Sequence, residues 1–131
     1  KEYGLENQVR LLGFIPPEHM KGLYQNCRAV VMPTYFGPTN LPPLEAWSLG
    51  KPLIYSNLHE DQTGDAARLF NPDCPEELAN AMKEMLDDSN VEKYVERGKR
   101  RLQEISSERD KCEIQLISML ISFEKRRECW D

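Results

Sequence analysis

Pro33-Thr34-Tyr35-Phe36-Gly37-Pro38-Thr39-Asn40-Leu41-Pro42-Pro43-Leu44-Glu45-Ala46-Trp47-Ser48-Leu49-Gly50 is the stretch whose reading decides the fold. An apolar run, Ala29–Met32, enters it and predicts a strand. The loop that follows is dense in Gly and Pro. Pro42 and Pro43 suit the first turn of a short helix, Glu45 falls early in that helix, and Gly50 closes it. Lys51–Ser56 then reads as the next strand. Strand, Gly-bearing loop, helix N-terminus and strand form the layout in which α/β proteins bind phosphorylated ligands.

Outward from this centre, the same alternation continues. Val9–Ile15 is a short apolar run that predicts a strand. Pro16-Pro17 ends it and opens a helix over Glu18–Asn26, with Met20, Leu23, Tyr24 and Cys27 at helical spacing. Downstream, Asn57–Asp65 is a polar connection with one helical turn, and Ala66–Phe70 predicts a fourth strand. Pro75, Glu76 and Glu77 start a helix whose buried stripe is read as Leu78, Ala81, Met82, Met85 and Leu86. Two further helices are predicted, Val91–Ile105 and Glu108–Glu128. Gly98 costs about 1 kcal/mol relative to Ala and marks a kink or break in the first of them. The pattern predicts an α/β fold, with a Rossmann-like parallel sheet of about four strands and helices on both faces. Residues 1–105 are assigned to that domain and 106–131 to a C-terminal amphipathic helix.

Composition bounds the rest. At 131 residues the chain suits one domain able to bury roughly two thirds of its unfolded surface. A net charge of −5 gives no basic field for nucleic acid. The four cysteines, Cys27, Cys74, Cys112 and Cys129, form no Cys-x-x-Cys pair and read as reduced thiols of a cytoplasmic protein. His19 and His59 lack partners at metal-ligand spacing and read as surface or packing residues. No signal peptide and no apolar run of spanning length is present. The first residue is Lys1 rather than Met, and upstream sequence is therefore expected.

Three segments carry a family resemblance: Val9-Arg10-Leu11-Leu12-Gly13-Phe14-Ile15-Pro16-Pro17-Glu18, then Leu23-Tyr24 with Cys27-Arg28-Ala29-Val30-Val31-Met32-Pro33-Thr34, then Leu41-Pro42-Pro43-Leu44-Glu45-Ala46-Trp47-Ser48-Leu49-Gly50-Lys51-Pro52-Leu53-Ile54. Gly64-Asp65-Ala66-Ala67-Arg68-Leu69-Phe70-Asn71-Pro72 and Glu76-Glu77-Leu78-Ala79-Asn80-Ala81-Met82 also fit. In this order they resemble glycosyltransferase family 4, the group 1 glycosyltransferases, over about Leu5–Asp88. The Gly37–Ala46 variant resembles members tied to bacterial surface polysaccharides. The resemblance implies part of the C-terminal domain of a GT-B enzyme, where a nucleotide sugar binds as donor substrate. It further implies transfer with retention, without a cofactor or bound metal, to a saccharide or lipid-linked acceptor held by an N-terminal domain that lies outside this chain. The implied site is cytoplasmic or peripheral to the inner face of the membrane.

Carried over by position, Glu45 matches the second acid of the family's paired-glutamate motif and is expected to accept hydrogen bonds from the ribose hydroxyls. Backbone amides around Thr39, Asn40 and Leu41 are expected to face the diphosphate. Phe14 and Ile15, within Gly13–Ile15, are expected near the base. The chain departs from the family at Gly37, which stands where the other acid belongs, eight positions before Glu45. Thr39 or Asn40 is then the candidate polar replacement at the donor sugar. The family's diphosphate-neutralising Arg and Lys, two strands and the acceptor domain would all lie upstream of Lys1. Val9–Ile15 and Ala29–Met32 would have to close the gap, by direct pairing or with strands from another copy. These residues alone are expected to lack transferase activity.

Several side chains admit a plainer reading. Glu45 also suits a helix's first turn through the dipole alone, and Gly37 suits an ordinary turn. Trp47, Tyr35 and Phe36 read first as packing residues, with ligand contact second for the latter two. In the last helix, Cys112, Leu116, Met119, Leu120 and Phe123 form a stripe that Ile114, Ile117 and Ile121 widen. So broad a stripe is expected to be buried on more than one side, or else to drive self-association into a dimer or oligomer. Lys125-Arg126-Arg127 suits a helix C-terminus first and a membrane surface second, and Trp130 fits either. A non-catalytic remnant or interaction module using that helix is the alternative function. A GT-B sugar-nucleotide epimerase is a third reading, which the Leu41–Trp47 run fits poorly.

Overall fold

The computed structural model describes residues 4–36 and 41–127, with side chains as far as Glu124. The elements are α1 (Pro17–Asn26), β1 (Val30–Met32), α2 (Leu41–Ser48), β2 (Leu53–Ser56), α3 (Glu60–Thr63), β3 (Ala67–Phe70), α4 (Pro75–Glu84) and α5 (Asp88–Arg127). The three strands form one parallel sheet in the order β1-β2-β3, with Val30 beside Leu53 and Leu53 beside Ala67.

Every residue of the central strand β2 is buried, and its alternation builds two cores. Leu53 and Tyr55 face Trp47 of α2, with Leu102 and Ile105 of α5 packed behind. Ile54 faces the other way, with Phe70, Met85 and Tyr94. Helices therefore cover both faces, as the near-continuous apolar strands require. α5 begins on one face, through Val91 and Tyr94, and reaches the other at Leu102 and Ile105.

The helix ends are chemically specified. Pro17 opens α1 and Pro75 opens α4 at positions where the missing N–H costs nothing. α2 ends in a Schellman motif: the Lys51 N–H reaches the Ala46 carbonyl at 2.8 Å, and the Gly50 N–H reaches Trp47 at 3.1 Å. Gly50 takes φ +66°, the left-handed value that favours glycine there. Arg28, just before β1, donates to the Met85 and Leu86 carbonyls at 2.8 and 2.9 Å and to Asp88 at 2.7 Å, joining the edge strand to the α4–α5 corner. Three arginines of α5 hold the segment before β3. Arg100 reaches Asp65 at 2.7 Å, Arg97 the Asp65 carbonyl at 3.3 Å, and Arg101 the Gln62 carbonyl at 3.2 Å.

Several expectations are corrected. Val9–Ile15 is not a strand, so among the described residues the sheet has three strands where about four are expected. Gly13 turns the run at φ +65°, and Leu11 and Phe14 are 96% and 88% exposed. The run does not pair with β1, which is an edge of the sheet. On α4 and the residues just after it, Leu78, Ala81 and Met85 pack inward, whereas Met82 and Leu86 are exposed. The apolar stripe of α5 is likewise not buried: from Ser106 to Glu124 every residue except Ser122 is exposed.

The two predicted terminal helices are one helix of 40 residues. Gly98 does not break it. A Cβ built on Gly98 would lie 2.3 Å from Cδ1 of Trp47, whose ring is 2% exposed. Gly98 is there to let α5 approach the indole. Two effects oppose each other in Gly98→Ala. Helix propensity favours alanine by about 1 kcal/mol, whereas overpacking costs about 1–3 kcal/mol, at the upper end where the neighbour is a confined ring. The expected net result is destabilisation, read as a lower urea midpoint with unchanged slope; a raised midpoint would contradict it.

Arg68 on β3 and Glu84 on α4 form a two-pronged ion pair at 2.7 and 2.8 Å. The Arg68 hydrogen bond is the main cause holding the Glu84 carboxyl below its ordinary value. A lowered folded-state value means that the pair's contribution is complete above the usual glutamate range and is lost as pH falls through the folded value. Both side chains are partly exposed, so screening limits the effect to roughly 1 kcal/mol or less. Glu84→Gln should therefore lower stability near neutrality, and the difference from the parent should vanish in urea titrations well below pH 4.5.

Candidate functional site

The described part of the site lies around α2. Glu45 is in its second turn, on the exposed side of a helix whose other side buries Pro43, Ala46 and Trp47. Glu45 is not folded beneath packed neighbours. Its Oε2 accepts a 2.7 Å hydrogen bond from the Tyr24 hydroxyl of α1. Tyr24 is itself buried, at 8% exposure. Burial first, then the Glu45 hydrogen bond and charge, push the Tyr24 phenol far above its usual range. It is therefore a neutral donor at any physiological pH, facing a group that accepts. Lys51, just past α2, donates from Nζ to the Cys27 carbonyl at 3.0 Å and gives the two helices a second polar tie.

The loop after β1 is anchored locally and across the sheet. Thr34 Oγ1 donates to the Phe36 carbonyl at 2.6 Å. The Tyr35 hydroxyl donates to Asp73 Oδ1 at 2.7 Å, joining this loop to the turn after β3. That hydrogen bond raises the Tyr35 phenol above its ordinary value. Tyr35 and Phe36 are 60% and 84% exposed, so neither is a buried packing residue, whereas Trp47 is in the core as expected. Gly37, Thr39 and Asn40, three of the expected contacts, lie outside the described residues. Leu41 opens α2 and is exposed. Phe14 is exposed and Ile15 half-buried. Among the described residues, no hydrogen bond or ion pair joins either of them to Glu45.

His59 follows β2 in a helical turn, its ring stacked on Tyr55 at 5.2 Å between centroids, and its Nε2 is buried without a hydrogen-bond partner. His19 is on the surface of α1. Among the described residues, no group of three or more His, Cys, Asp or Glu side chains is placed to hold a metal ion. Cys27, Cys74 and Cys112 are unpaired thiols; Cys129 lies outside the described residues, as do Trp130 and the side chains of Lys125–Arg127. No helix among the described residues is long and apolar enough to cross a membrane. Sequence reasoning missed Tyr24 as a partner of Glu45. Its place in the apolar stripe of α1 signals burial, and nothing local signals where its hydroxyl ends.

Known proteins resemble this chain in sequence and in fold. The family described as "Glycosyl transferases group 1" matches residues 1–88. The chain is 32% identical over 116 residues to O-antigen chain mannosyltransferase B of Escherichia coli, covering 86% of this chain and 30% of that protein. It is 35% identical over 107 residues to an alpha-1,3/1,6-mannosyltransferase of Dictyostelium discoideum, covering 78% of this chain and 25% of that protein. Among solved structures, a sucrose-phosphate synthase from Thermosynechococcus elongatus superposes with a TM-score of 0.72 at 26% identity, over 90% of this chain and 32% of that one. The chain thus spans about a third or less of the length of each. Motif order, parallel sheet and structural neighbour agree, and the chain belongs to the group 1 glycosyl transferases.

Proposed function

We propose that this chain forms part of the donor side of a retaining, metal-independent hexosyltransferase in bacterial surface polysaccharide or glycoconjugate synthesis. Its ligand is a nucleotide sugar, and Glu45 accepts hydrogen bonds from the ribose hydroxyls. The observation that carries this reading is the state of Glu45: an exposed carboxylate, fixed by one hydrogen bond, on the helix at the centre of the family match. A carboxylate accepts hydroxyl protons on both oxygens, which suits a pair of vicinal hydroxyls. The amides at Thr39, Asn40 and Leu41, with the α2 N-terminus, would meet the diphosphate. Phe14 and Ile15 would flank the base. Transfer itself would depend on positioning and on stabilising the departing diphosphate. The basic groups for that step and the acceptor site belong to parts of the enzyme beyond these residues, and the work would be done in the cytoplasm, at or near the membrane's inner face.

Calorimetry with UDP, GDP and ADP tests the reading. One of the three should bind, and Glu45→Gln should weaken it about tenfold or more, the size of a lost charge-assisted hydrogen bond. A radiolabelled-sugar assay on the same 131 residues should stay at background. Unchanged affinity in Glu45→Gln removes the ribose role, and clear transfer would refute the need for further parts.

A second reading is favoured by one observation, the bare apolar face of α5. Ile114, Leu116, Ile117 and Met119 are 50–68% exposed, and Phe123 is 70% exposed. On this reading the helix is an interaction element through which copies of the chain associate. Sedimentation should then give a dimer or larger species that dissociates when Leu116 and Leu120 are changed to Glu. A monomer at high concentration counts against it.

A further inference from the structure

Glu45 is the exposed carboxylate on α2, and what holds it is a buried phenol on another helix. An exposed glutamate normally samples many rotamers, and fixing it on binding costs side-chain entropy. Tyr24 has only two side-chain torsions, and packing at 8% exposure fixes both. Its hydroxyl meets Glu45 Oε2 at 2.7 Å across 21 residues of chain. The helices that carry the two groups are joined independently by Lys51 Nζ on the Cys27 carbonyl at 3.0 Å. An ionised carboxylate has about four lone-pair sites. The phenol donates to one of them, so the carboxylate is oriented with acceptor sites left for a ligand.

We propose that Tyr24 is a positioning residue for ribose recognition: acting through Glu45, it presets the carboxylate for the sugar hydroxyls of a nucleoside diphosphate. This rests on the reading of Glu45 as the ribose-binding group. It adds that discrimination between ribose and deoxyribose is set on α1 as well as on α2. Preorganisation of this kind raises affinity by removing the ordering cost before the ligand arrives.

The test measures a ratio rather than an affinity. Calorimetry on the chain compares whichever of UDP, GDP and ADP binds with its 2′-deoxy and 3′-deoxy counterparts, in the parent, Tyr24→Phe and Glu45→Gln. The parent should prefer the ribose form about tenfold, as expected for a hydrogen bond to a charged group. Glu45→Gln should bring the ratio near one, and Tyr24→Phe should lower it to about threefold or less, with less than additive loss in the double variant. A purely structural role for Tyr24 would weaken all three ligands alike and leave the ratio intact; that result overturns the proposal while the ribose role of Glu45 stands. A parent that binds none of them, or binds ribose and deoxyribose forms equally, defeats the reading of Glu45 and this inference with it. Should Tyr24→Phe not fold by circular dichroism, a meta-fluorinated tyrosine placed at position 24 gives the second measurement. Its fluorine NMR line should move with the ribose ligand and stay with the deoxy ligands. Equal movement with both overturns the proposal.

Discussion

The contact between the Trp47 indole and the backbone of α5 at Gly98 is the constraint on which the arrangement depends. Trp47 stands on α2, lies against Leu53 and Tyr55 of the central strand, and is covered by a helix that can come so close only where it lacks a Cβ. One ring thereby joins the site-bearing helix, the sheet and the long helix. The registers of α2 and α5 are tied together, because slipping α5 by a residue would bring Arg97 or Lys99 to the indole. Three arginine contacts to residues 62–65 hold the same register from outside, where solvent limits what each contributes.

This packing has a direct bearing on the site. α2 has eight residues, too few to be stable alone, and its position is set by the buried side formed by Pro43, Ala46 and Trp47. Glu45 is exposed because it sits on the opposite side of that helix. Its rigidity comes from two places: the core holds the helix from below, and Tyr24 holds the carboxylate from the side. The loop entering α2 is tied to the far edge of the sheet by Tyr35 and Asp73. Glu45 is thus borne by an element whose backbone is already fixed, which is what the proposed recognition of a flexible ligand requires.

The sequence is legible where chemistry is local. Pro17, Pro43 and Pro75, Gly50, and the apolar runs at 30–32 and 53–56 specify helix starts, a helix end and two strands through backbone geometry that no distant residue needs to approve. Reading fails where the partner is remote. Val9–Ile15 has the composition of a strand, but composition supplies no neighbour to pair with, and Gly13 turns the run away from extension. Gly98 looks like a breaker until Trp47, fifty-one positions earlier, is found against it. Met82 and Leu86 are apolar and correctly spaced, yet both are exposed. In the candidate site, Glu45 is legible through the motif around it. Tyr24 is not, because its hydroxyl contact exists only once two helices have packed.

An uninterrupted α5 is about 60 Å long at 1.5 Å per residue, and its packing against the two cores ends at Ile105. Its remaining turns extend past the sheet as a stiff arm of about 33 Å. Mechanically, such an arm converts a small tilt at its root into a large displacement at its tip: roughly 5° at the pivot moves the far end by about 3 Å over that length. Whatever grips the tip therefore holds a lever whose fulcrum lies where Leu102 and Ile105 pack over the tryptophan of α2.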